Sequence, residues 1–184
     1  MVDDLWPRRM QRQLRPEAVR ANLVRAGAVL AAHQVLRGQI VGRLRGFFSF
    51  SGESEGSEGL GLYQSEVLSR ARSEVSACLD WLVESGPLSS EDAAMANRLR
   101  EERNRVAHEL PKALIDPAFP VNETIVQDAA RVSQAIARFW ALTWATANPA
   151  FDNREIDPTA VESGASLLIA YLGQLAGPQD DVIR

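Results

Sequence analysis

Apolar residues recur along this chain at steps of three and four over long stretches, and no strict alternation holds long enough to predict a strand. From Pro16 to about Phe48 they fall at Val19, Leu23, Ala26, Leu30, Ile40, Leu44 and Phe47, the spacing of one helical face, which predicts a long first helix. Gly27, Gly38, Gly42 and Gly46 lie inside it and argue against a straight rod, since each glycine costs about 1 kcal/mol relative to alanine in a helix interior. The run SFSGESEGSEGLG then stops the pattern. Its Gly, Ser and Glu content buries little apolar area and predicts a mobile loop over residues 49–61.

A second helix is predicted from Leu62 to Ser85, with Val67, Ala71, Val75, Cys78 and Leu82 on one stripe and Gly86-Pro87 as its stop. The third, SSEDAAMANRLREERNRVAHELP, opens on a serine cap. It carries Glu91 and Asp92 in the first turn, where the helix dipole favours acids, and ends at Pro111. Residues 112–121 hold Pro117 and Pro120 and predict a connection. Asn122 then caps a fourth helix reaching about Ala147 through Ile125, Ala129, Val132, Ile136 and Trp140. A fifth starts at Asp157-Pro158 and carries Val161, Leu168, Leu172 and Leu175. The expected fold is an all-α, up-and-down bundle of four to five helices in a single domain over residues 1–184.

Composition changes this picture little. At 46% hydrophobic and 24% charged, the chain matches an ordinary soluble protein. No apolar run approaches the roughly 18 residues that a membrane span needs. The N-terminal MVDDLWPRRMQRQLRPE is charged and lacks the apolar stretch of a secretory signal, so a cytoplasmic location without membrane contact is expected, and Asn122-Glu123-Thr124 has no route to glycosylation. The single Cys78 permits no internal disulfide and no cysteine zinc site, and its place on an apolar stripe predicts burial. There are two histidines without a convincing third ligand, and no P-loop, GxGxxG or CxxC, so neither a metal nor a cofactor is expected.

Charge is distributed unevenly. Residues 1–48 carry nine arginines against three acids, and the remainder is acidic. A basic helix at about 16–48 suits a phosphate backbone, or else neutralises the acidic remainder within the chain or across a dimer.

The third helix separates two faces. At about 100° per residue, Met95, Leu99, Arg103, Val106 and Leu110 share a core-facing stripe, on which Arg103 is the one charge and calls for an acid such as Glu74 or Glu102. Asn97, Glu101, Asn104 and His108 share the opposite, polar face. His33, on the first helix with Arg37 one turn later, is expected to be packed or interfacial.

The segment Arg103-Asn104-Arg105-Val106-Ala107-His108 resembles the motif of the HEPN superfamily, in which an arginine, commonly followed by Asn or another polar residue, precedes a histidine by a gap of four to six. Helix order extends the resemblance over about residues 62–176, with the basic N-terminal helix as an addition or variation. The resemblance implies an endoribonuclease, a hydrolase of toxin–antitoxin or defence type. It would work without metal or cofactor, as a homodimer that brings both motifs into one cleft on single-stranded RNA. His108 would act as general acid or base for attack of a ribose 2′-OH, Arg103 would hold the phosphate, and Asn104 would orient imidazole or phosphate. Arg103 and His108 point about 140° apart on a regular helix, so a shared site needs a long reach, a distorted last turn or the partner subunit. Toxins of this superfamily paired with nucleotidyltransferase antitoxins commonly carry tyrosine two residues after the histidine, where this chain has Leu110, so regulation through that tyrosine does not carry over. The alternative is a non-catalytic HEPN-like module that dimerises, binds RNA, or regulates an antitoxin or other partner protein.

Overall fold

Pro16, whose fixed φ suits a first turn and whose missing N–H is not needed there, opens helix α1, Pro16–Arg37. In the computed structural model, which describes residues 14–50, 57–149 and 156–177, α1 passes into a π-helical turn, Gly38–Gly42, and continues as α2, Arg43–Phe50. Two of the predicted weak points, Gly38 and Gly42, bound the π turn. The turn shifts the register of the inward face. Ala26, Val29, Ala32 and Leu36 are buried before it, Ile40 and Val41 within it, and Leu44 and Phe48 after it. The predicted stripe is therefore corrected in its first half, where Leu23 is 53% exposed.

The mobile loop predicted over 49–61 is also corrected. Residues 49 and 50 belong to α2 and residues 57–61 to a further helix, α3, Ser57–Glu66, while residues 51–56 lie outside the described part. A tertiary anchor outweighs the glycine content. Tyr63 is buried, its hydroxyl donates to Glu74 Oε1 at 3.0 Å and bonds Cys78 Sγ at 3.2 Å, and its ring meets that of Phe48. Beyond α3 the helix predicted over 62–85 is broken. A 3-10 turn, Leu68–Arg70, leads to extended Ala71, and Ser73 then caps a new helix, α4, Glu74–Glu84, by accepting the Ser76 N–H at 3.1 Å. The predicted stop holds at Gly86, which adopts φ +92°.

Four more helices follow: α5, Ser90–His108; α6, Leu110–Ile115; α7, Thr124–Ala147; and α8, Gly164–Ala176. Pro111 sits in the first turn of α6 instead of merely closing α5, so residues 112–115 of the predicted connection are helical. Asn122 is not the cap of α7. Glu123 holds that position, and Asn122 Oδ1 accepts from the Thr124 hydroxyl at 2.8 Å. Asp157 caps only a 3-10 turn, Pro158–Ala160, and α8 begins later, where Ser163 Oγ accepts the Ser166 N–H.

Helix α1 lies against α5, α6, α7 and α8, which makes it central to the bundle. Cross-ties fix that placement: Asn22 Nδ2 donates to the Leu114 carbonyl at 2.9 Å and Arg25 Nε to that of Ala176 at 3.3 Å. The core runs through Val29, Leu44, Leu79, Leu82, Leu99, Ile136 and Ile169 to Trp140, over which Trp81 stacks at 6.5 Å with the rings 4° from parallel. Among the described residues there is no strand, so the fold is an all-α bundle. No described helix is long and apolar enough to cross a membrane. Three arginines of the basic segment pair with acids from the rest of the chain, Arg25 with Glu123 and both Arg37 and Arg45 with Glu74.

Candidate active site

Helix α5 carries the motif, and both its ends are set by sequence. Ser89 and Asp92 form a capping box, each side chain accepting the other's backbone N–H at about 3 Å, and Glu91 adds negative charge to the first turn. At the other end Glu109 leaves helical geometry at φ −119° and ψ 29°, so His108 is the last helical residue and is exposed.

Arg103 lies on the core-facing side, as its spacing predicts, between buried Leu99 and Val106, and is itself half-buried. Its partner is neither of the acids expected. Glu74 is engaged by Arg45 at 2.5 Å, by Arg37 at 4.0 Å and by the Tyr63 hydroxyl, while Glu102 forms a two-pronged pair with Arg105 at 2.8 and 2.7 Å. Arg103 Nη1 instead donates to Asn104 Oδ1 at 2.9 Å. Asn104 thus orients the arginine, and no hydrogen bond joins it or Arg103 to His108 among the described residues. Within one chain the motif is split: an arginine on the inner flank and an exposed histidine at the helix end.

Arg105 has a structural task that its position in the motif did not suggest. Besides Glu102 it donates to the Pro120 carbonyl at 2.5 Å and lies 4.0 Å above the Phe119 ring, and Glu102 accepts the Asn122 N–H at 2.8 Å. This clamp holds the segment between α6 and α7 against α5. The Glu102 side chain is only 11% exposed, and burial alone would raise its pKa. The bonds from Arg105 and from the Asn122 N–H outweigh that and hold it below the usual carboxylate value.

The residue that sequence reasoning set aside is His33. It is half-buried on α1, its Nδ1 is shielded from water without a hydrogen-bond partner, and its pKa is lowered first by burial and then by the positive charges of Arg103, Arg37 and Arg100. Those groups converge from two helices. The available signal was the i, i+4 spacing of His33 and Arg37 and the i, i+3 spacing of Arg100 and Arg103, which becomes informative only once α1 is known to pack on α5.

Two open grooves lie elsewhere. One, of about 440 Å³, is lined by Arg20, Val24, Arg25 and Leu175, and the other, of about 290 Å³, by Gln39, Arg43, Trp144 and Glu162; neither borders Arg103 or His108. Among the described residues no three His, Cys, Asp or Glu side chains stand together as a metal site. Comparison with protein families, with curated proteins and with solved structures gives no match for the chain.

Proposed function

We propose that this chain is a metal-independent endoribonuclease of HEPN type, acting as a homodimer on single-stranded RNA in a toxin–antitoxin or defence setting. The observation that carries the reading is the exposure of His108 at the end of α5, one turn beyond an arginine whose guanidinium is held by Asn104 and pairs with no described carboxylate. An exposed imidazole can take or give the 2′-OH proton, and an arginine free of acids can take two phosphate oxygens. Because Arg103 and His108 diverge within one chain, two subunits complete the site, each motif facing the other across a two-fold axis.

The divergence also favours a second reading, a HEPN-like module that binds RNA or a partner protein without cleaving it. Single-stranded RNA incubated with the protein in EDTA separates the two. Cleavage to fragments ending in 2′,3′-cyclic phosphate, with DNA left intact, is expected for the enzyme. His108→Ala should then slow cleavage by about 10² to 10⁴, the usual contribution of a general acid–base. Cleavage by the variant at the parent rate would remove His108 from the chemistry, and activity that appears only with added Mg²⁺ or Mn²⁺ would shift the reaction to a metal site.

A further inference from the structure

His33, Arg37, Arg100 and Arg103 make a cationic cluster where α1 crosses α5, apart from the exposed His108. Arg37 stands one turn beyond His33 on α1, and Arg100 and Arg103 stand one turn apart on α5, on the flank that meets α1. Among the described residues only Arg37 has an acid within ion-pair distance, Glu74 at 4.0 Å, and that carboxylate is already bound more closely by Arg45. Arg100 and Arg103 have none there. Arg100 and Arg103, half-buried and without a carboxylate, repel one another and the exposed Arg37, and cost stability unless an anion joins them. Of the two ring nitrogens of His33, Nδ1 is buried without a partner, which leaves Nε2 as the nitrogen able to meet a ligand. Neutral imidazole N–H and guanidinium N–H groups are all donors, so the cluster offers donors to a compact, multiply charged oxyanion.

We propose that His33, Arg37, Arg100 and Arg103 form a phosphate-binding site between α1 and α5. Its tetrahedral oxyanion is either a phosphate of an RNA backbone or a free phosphate or phosphate monoester. Assignment to RNA rests on the ribonuclease reading; the phosphate site itself does not.

With only two histidines in the chain, imidazole ¹H–¹⁵N spectra of the full-length protein report each site separately. Inorganic phosphate, added at constant ionic strength, should shift the His33 ring signals saturably. Arg100→Gln should weaken this response by about tenfold or more, the value of one charge-assisted hydrogen bond. Arg98→Gln, an exposed position on the other side of α5, should not change it. A cleavage-resistant 2′-O-methyl RNA oligonucleotide is the second probe. If it competes with phosphate at His33, the occupant is a backbone phosphate; if phosphate alone shifts His33, the site serves a free phosphate or monoester. A His33 ring that responds to neither probe in the parent protein overturns the proposal whether or not any variant folds, as does Arg100→Gln that binds phosphate like the parent. Cleavage of RNA that is unchanged by Arg100→Gln would rule out an RNA phosphate as the occupant and leave the nuclease reading standing, while phosphate binding without cleavage would leave the site standing and remove the nuclease reading.

Discussion

Glu102 shows how one carboxylate fixes a connection that is otherwise short of regular structure. It receives both prongs of Arg105 and the backbone N–H of Asn122, and so ties α5 to the approach of α7. Arg105→Ala should cost about 1.5–3 kcal/mol at neutral pH, because the nearly buried carboxylate loses its charged partner. Since the folded-state pKa of Glu102 lies below its ordinary 4.5, this stability is present above that value and is lost as pH falls through the lowered one. Urea denaturation of parent and variant at neutral and acidic pH checks both points. The gap between them should narrow on acidification, and a gap independent of pH would mean that Arg105 acts through its stacking on Phe119 instead. His33 has the same sign. Burial and three arginines lower its folded-state pKa, so acidification below the ordinary histidine value of 6.5 destabilises the fold until the lowered pKa is passed.

At the scale of elements, two glycines make opposite demands. Gly27 is exposed in the middle of α1, and a Cβ there would meet nothing within 4 Å, so Gly27→Ala should stabilise the protein by about 1 kcal/mol through helix propensity alone. Gly86 also has open space around it, but its φ of +92° disfavours any side chain, and Gly86→Ala should destabilise by about 1 kcal/mol or more. Thermal melts of the two variants against the parent decide this, and shifts of the same sign would contradict it. The contrast was partly legible in sequence. Gly86-Pro87 reads as a helix stop, whereas Gly27 reads only as a weak point. The π turn at Gly38–Gly42 was not legible, because its extra residue per turn is forced by the fit of Ile40 and Leu44 to the core and not by local preference.

For the molecule as a whole, the split of Arg103 from His108 makes assembly the deciding matter. Light scattering at micromolar concentration should give about twice the 20.2 kDa chain mass, and a strictly monomeric protein would remove the shared cleft. The helical class, the caps at Ser89 and Gly86, the polar face of His108 and the inward flank of Arg103 were legible in the chain, because each follows from periodicity or from residues within one turn. Tertiary structure decided the rest. Leu168 and Leu175, two of the apolar positions that marked the fifth helix, stand 46% and 40% exposed. Helix α8 turns Ser166, Ile169, Gly173 and Ala176 inward instead, with a Cβ at Gly173 only 3.0 Å from Gln127 Cγ and the Ser166 hydroxyl donating to Ser133. Small residues win that face because they let α7 and α8 approach closely, which no count of apolar positions reveals. The partner of Arg103, the clamp of Arg105 and the arginines around His33 likewise depend on which helices touch. Long side chains choose among several neighbours within reach, and only the packing of α1 on α5 settles which ones are there.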